Sequence, residues 1–105
     1  MIFILNTPIL TTYGEYRFKK ISVSEAKEIL DHEDFVSAVG HQATTDALTT
    51  LFSRKIEMNR ISVTMQVHDG AIVFRMLERL PEGVVLSLEE LLSRKFEIGL
   101  LVRTA

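Results

Sequence analysis

Cysteine is absent from this chain, which excludes a disulfide framework, a zinc site built on thiolates and thiol catalysis. Any chemistry has to come from oxygen and nitrogen groups, and the composition is compatible with a reducing, cytoplasmic setting. Two prolines and five glycines in 105 residues are too few for a disordered tail when 47% of the chain is hydrophobic and 25% charged. Long apolar runs are also missing. The opening Met1-Ile2-Phe3-Ile4-Leu5 stops at Asn6 and lacks the basic flank and small-residue cleavage pattern of a signal, so it reads as a strand, and no membrane partner is expected. Nor is there a basic tract beyond Arg17-Phe18-Lys19-Lys20, and the formal net charge is −2. Binding to long nucleic acid through many phosphates is therefore not expected, whereas a small anion held by a few placed cations fits.

A chain of this length makes one domain, residues 1–105, with one modest core. Residues 1–5 read as a strand buried on both faces, and residues 16–21 as a second strand. Ser22 with Glu25 makes a capping box ahead of Val23, Ala26, Ile29 and Leu30, which share one face of a first helix. After a short apolar segment at 35–39, Gly40 breaks the chain. A second helix follows from about His41 to Phe52, with Ala47, Leu48, Leu51 and Phe52 inward. Ile61, Val63, Met65 and Val67 alternate with polar residues, and the His68-Asp69-Gly70 turn leads back through Ile72, Phe74 and Met76, so the pattern predicts a β-hairpin. Ser87 and Glu90 form another capping box, with Leu86 and Leu91 as its staple, for a short third helix to about Lys95. Phe96, Ile98, Leu100 and Val102 then alternate as a last strand. The expected fold is α/β (α+β), one mixed sheet of about five strands flanked by three helices in the order ββααββαβ.

Three polar interruptions carry the chemistry: Asn6-Thr7-Pro8, Gly40-His41, and Arg79-Leu80-Pro81-Glu82-Gly83. A phosphodiester can be cut by an imidazole acid, a cation over the developing charge and a carboxylate, roles that suit His41, Arg79 and Glu82. The first turn of the second helix, Gln42-Ala43-Thr44, has no strong N-cap before it, so its backbone amides are candidate phosphate donors. The stretch from Glu78 to Leu86, with Pro81 and Gly83, has the composition of a loop able to close over a ligand. Against this stands a plainer reading in which His41 merely starts a helix and Arg79 and Glu82 are a solvated pair. No His-Glu-x-x-His, Gly-x-Ser-x-Gly, P-loop or Rossmann glycine pattern occurs, so no metal or cofactor is expected.

Taken together, Leu5-Asn6-Thr7-Pro8-Ile9-Leu10-Thr11, Val39-Gly40-His41-Gln42-Ala43-Thr44, Asn59-Arg60 and Arg79-Leu80-Pro81-Glu82-Gly83 with the Leu86-Ser87-Leu88-Glu89-Glu90 that follows resemble the viral-type ring nuclease family. Its viral members are anti-CRISPR proteins acting on type III CRISPR immunity, and similar proteins occur in bacteria and phages. The resemblance covers nearly the whole chain. It implies a homodimer that binds cyclic tetra-adenylate across its axis and degrades it to linear di-adenylates without metal. By position His41 matches the family's catalytic histidine, and Arg79 and Glu82 match the arginine and glutamate of its active-site loop. Asn6, Thr7, Arg60 and Arg75 fall where the family lines its pocket.

In RNA the 2′-hydroxyl is already tethered beside the phosphorus, so a protein has to align it, stabilise charge and protonate the departing 5′-oxygen. His41 would be the acid and Arg79 the stabiliser, with Glu82 either orienting Arg79 or assisting deprotonation of the 2′-hydroxyl. The competing function is a dimeric binding module that sequesters a cyclic nucleotide without cutting it. A small dimerisation protein with no nucleotide ligand is a third.

Overall fold

Ile2–Leu5 forms the first strand, β1, and its side chains are almost all buried, as a continuous apolar run requires of a strand with neighbours on both sides. A computed structural model describes residues 1–8, 12–78, 83 and 86–105. Its remaining elements are β2 (Tyr16–Ile21), α1 (Val23–His32), β3 (Phe35–Ser37), α2 (Gln42–Phe52), β4 (Gly70–Met76), α3 (Leu88–Leu92) and β5 (Phe96–Arg103). The strands make one sheet in the order β2-β5-β4-β1-β3. β1 runs parallel to both β3 and β4, while β5 is antiparallel to β4 and to β2. No helix among the described residues is long and apolar enough to cross a membrane.

Both capping boxes close as the sequence predicts. The Ser22 hydroxyl accepts from the Glu25 amide at 3.1 Å while the Glu25 carboxylate accepts from the Ser22 amide at 3.2 Å, and Ser87 and Glu90 repeat the arrangement for α3. Helices α1 and α2 cover one face of the sheet. There Ala26, Leu30, Leu48, Leu51 and Phe52 meet Ile2, Ile4, Ile72, Phe74 and Ile98 in the main core. Leu91 of α3 packs with Leu86 and with Ala47 of α2, which fixes the short helix on the outside of the longer one.

The hairpin is where the sequence misleads. Five strands form, but Phe35–Ser37 supplies one of them, and residues 61–67 make none. β4 already pairs along one edge with β5 and along the other with β1, so no edge is left for a second hairpin strand. The 61–67 segment instead lies across the open face of the sheet, where Met65 and Val63 pack on Leu5, Ala71, Val73 and Leu101. The turn at Val67-His68 exists, with the Asp69 amide donating to the Gln66 carbonyl at 3.0 Å, but it delivers the chain into β4 from above the sheet. Alternation marked a covered side only at Val63 and Met65, since Ile61 and Val67 are exposed; the backbone partner was not in it. Met65→Ala is therefore expected to cost about 2–5 kcal/mol and Ile61→Ser less than about 0.5 kcal/mol, measured by urea unfolding; equal losses would mean that the segment is a sheet strand.

The Glu90 carboxyl sits below the usual carboxylate range because the Ser87 amide, and then the Ser87 hydroxyl, bind its charged form. A lowered native value stabilises the fold above the unfolded-state titration, and that contribution is lost as pH falls through the native one. The far-ultraviolet helical signal lost on acidification should thus fall at higher pH in Glu90→Gln than in the parent, and identical acid profiles would contradict the cap's role.

Candidate active site at the carboxyl edge of the parallel strands

Because β1, β3 and β4 are mutually parallel, their carboxyl ends share one edge of the sheet. In open α/β sheets such an edge is where ligands bind, since the loops leaving the strands converge there. The ladder between β1 and β3 carries on past the strand end through the Ala38 amide, which donates to the Ile4 carbonyl at 2.9 Å. Asn6 and Thr7 follow β1 immediately, half-buried and exposed respectively, beside the chain that leads from β3 into Gly40 and His41. At the third strand the chain leaves β4 through Leu77 and Glu78 at this same edge.

His41 is the N-cap of α2, with extended backbone at φ −126° and ψ 125°, and its exposed imidazole caps no helix amide. The His41 carbonyl accepts the first helical bond from the Thr45 amide at 3.1 Å. This leaves the Gln42, Ala43 and Thr44 amides as the unpaired donors of a helix start. The Gln42 side chain is turned along the helix, where its amide nitrogen donates to Asp46 Oδ1 at 2.7 Å, so what Gln42 offers a ligand is backbone. Thr45, fully buried, donates its hydroxyl to the Gln42 carbonyl at 3.0 Å and tightens this turn from inside. Arg60 reaches the same place, donating from Nε to the Gly40 carbonyl at 2.9 Å.

The structure thus brings Asn6, Thr7, Gly40, His41, the first turn of α2 and Arg60 to one edge. Arg75, next to last in β4, comes to the same edge, level with the residues that follow Leu5 of β1. By alternation along β4 it points to the face opposite the helices, where it faces Glu97 at 3.9 Å and shares that carboxylate with Lys20 at 3.6 Å. Arg79 and Glu82 lie outside the described residues. Sequence reasoning missed Asn59, whose side-chain amide donates to the Ser37 carbonyl at 2.8 Å, and Thr45. The Asn-Arg pair was visible as a motif, but nothing local to it names a partner more than twenty residues away.

Three comparisons with known proteins bear on this arrangement. Residues 2–98 match the STIV B116-like family. The chain belongs to that family. Protein 26 of a Sulfolobus islandicus filamentous virus is 38% identical over 96 residues, which span 87% of this chain and 81% of the viral protein. YddF of Bacillus subtilis is 35% identical over 101 residues, 94% of each chain. The structure of B116 from Sulfolobus turreted icosahedral virus superposes with a TM-score of 0.85 over 97% of this chain and 98% of that one, at 22% identity, so this is the B116 fold.

Within this B116-like fold α2 is the helix whose cap side chain makes no hydrogen bond, whereas α1 and α3 each have a closed box. Serine, threonine, aspartate or asparagine at an N-cap stabilises a helix by about 0.5–2 kcal/mol over residues that cannot cap. His41→Asp should therefore raise stability to urea by about 1 kcal/mol; a loss of stability would show that the histidine is there for packing.

Proposed function

We propose that the protein is a metal-independent ring nuclease that opens cyclic tetra-adenylate, with His41 as general acid. The observation that carries the reading is His41 itself: an exposed imidazole stands at the N-cap of α2, bonded to no amide of the turn, above three unpaired backbone donors. A phosphate seated on those amides would be stabilised by them and by the helix dipole, with the imidazole beside it. The Asn6-Thr7 segment leaves β1 at the same edge of the sheet, and Arg60 is bonded to the Gly40 carbonyl next to His41.

In the proposed reaction the adenosine 2′-oxygen attacks the adjacent phosphorus. The bond from the 2′-oxygen to phosphorus forms, the bond from phosphorus to the 5′-oxygen breaks, and His41 hands its proton to the departing 5′-oxygen. Arg79 stabilises the phosphorane, and the proton of the 2′-hydroxyl leaves to Glu82 or to solvent, Glu82 otherwise orienting Arg79. Each cut yields a 2′,3′-cyclic phosphate and a 5′-hydroxyl. Cyclic tetra-adenylate has four equivalent phosphodiesters in two opposite pairs, so a two-fold homodimer with one His41 at each member of a pair produces two di-adenylates. The occurrence of relatives in viruses and in Bacillus subtilis agrees with the setting that the resemblance to ring nucleases implies, in which such proteins remove the messenger of type III CRISPR signalling.

The second reading, a binding module that holds the ring without cutting it, uses the same edge. His41→Ala separates them. Cleavage by that variant, followed in EDTA with purified cyclic tetra-adenylate, should fall by about 10²–10⁴-fold, the usual worth of a general acid, while equilibrium binding changes little. Binding without cleavage by the parent would favour the sequestering module, and undiminished cleavage by His41→Ala would remove the histidine from the mechanism.

A further inference from the structure

The connection from β3 to α2 that carries His41 is held at three carbonyls by two neighbouring residues. Asn59 Nδ2 donates to the Ser37 carbonyl at 2.8 Å, the Asn59 backbone amide donates to the Val39 carbonyl at 2.8 Å, and Arg60 Nε donates to the Gly40 carbonyl at 2.9 Å. The Ser37 hydroxyl accepts from the Val39 amide at 3.4 Å and braces the same turn from within. Space is filled as well as bonds. A β-carbon on Gly40 would stand 2.8 Å from Arg60 Cγ, an atom too near its own backbone to swing clear. Between β3 and α2 the chain has no regular structure of its own, and His41 lacks the cap bond that normally anchors a helix start. The strap from residues 59 and 60 thus acts with the Ala38–Ile4 bond before it and the His41–Thr45 helical bond after it to set the direction in which the imidazole leaves the backbone.

We infer that Asn59 is a positioning residue for His41, holding the β3–α2 connection so that the imidazole meets the departing 5′-oxygen of the bound phosphodiester; this rests on the reading of His41 as general acid. Half-buried and spent on the Ser37 carbonyl, the Asn59 side-chain nitrogen has no need to touch the ligand. Its effect passes through geometry alone. Misplacing a catalytic group by about 1 Å costs on the order of 10²-fold, so loss of one strap bond is expected to slow the chemical step while leaving binding nearly unchanged.

The test compares the parent, Asn59→Ala and Asn59→Leu, the last keeping the approximate size of the side chain without its donor and without adding charge. Two substrates are used: cyclic tetra-adenylate, and the same ring with sulfur in place of one bridging 5′-oxygen. There the 2′-oxygen forms its bond to phosphorus and the phosphorus–sulfur bond breaks, releasing a thiolate that needs no protonation and so no general acid. Single-turnover cleavage of the oxygen ring by both variants should fall about ten-fold or more, with dissociation constants within about two-fold and parental rates on the sulfur linkage. Steady-state ¹⁵N relaxation should report greater mobility at Gly40 and His41 in both variants. Equal loss on the two linkages, parental rates on the oxygen ring or unchanged relaxation would overturn the positioning role. A parent that cuts neither ring would instead refute the nuclease reading beneath it, and the two failures are told apart by the parent alone.

Discussion

β1 has a parallel neighbour on each side, and most of what the molecule can do follows from that double pairing. Parallel strands cannot be joined by tight turns, so the chain must leave each one and return over a face of the sheet. α1 and α2 come back on one face and bury the main core there. The carboxyl ends of β1, β3 and β4 are left on a common edge, and the segments that leave them are Asn6-Thr7, Gly40-His41 and Leu77-Glu78. β4 is also paired with β5, which removes its free edge and sends residues 61–67 over the open face. The same displacement brings Asn59 and Arg60 back to the end of β3. The strap on the β3–α2 connection is thus a consequence of where the sheet has no room.

Stability and chemistry divide unevenly among the helix starts. Ser22 and Ser87 satisfy the amides of α1 and α3 reciprocally with Glu25 and Glu90. α2, the longest of the three, has a histidine in that position and no side-chain cap. Its burial compensates, since Thr45, Ala47, Leu48, Leu51 and Phe52 are all inside. A helix anchored so firmly by its apolar face can leave the Gln42, Ala43 and Thr44 amides of its first turn without partners.

How much of this was legible in the sequence depends on how far each signal reaches. The capping boxes and the inward face of α2 are written within a turn or two, and they stand in the structure where the pattern puts them. The buried opening strand is equally local. Alternation over residues 61–67 reported correctly that Met65 faces apolar surface, but period two cannot say whether the backbone bonds to a sheet or lies over one. Phe35–Ser37 became a strand because β1 needed a second partner, a requirement that its three residues do not announce. At the carboxyl edge, Gly40-His41 was legible as a break before a helix, and the structure has His41 as the N-cap of α2. The bond from Asn59 was not legible, because its partner Ser37 is contributed by another element. Arg75 was placed by resemblance, and it stands near the carboxyl end of β4, on the face away from the helices, 3.9 Å from Glu97.

If the ribose opens its own phosphodiester while this edge of the sheet supplies the proton, no oxygen from water enters the first product. Brief incubation of the protein with cyclic tetra-adenylate in ¹⁸O-enriched water with EDTA tests it directly, with products weighed by mass spectrometry before any cyclic phosphate can hydrolyse. Di-adenylate ending in a 2′,3′-cyclic phosphate that carries no heavy oxygen is the expected product. A first product with ¹⁸O on its phosphate would mean that water is the nucleophile and would contradict the mechanism built on His41.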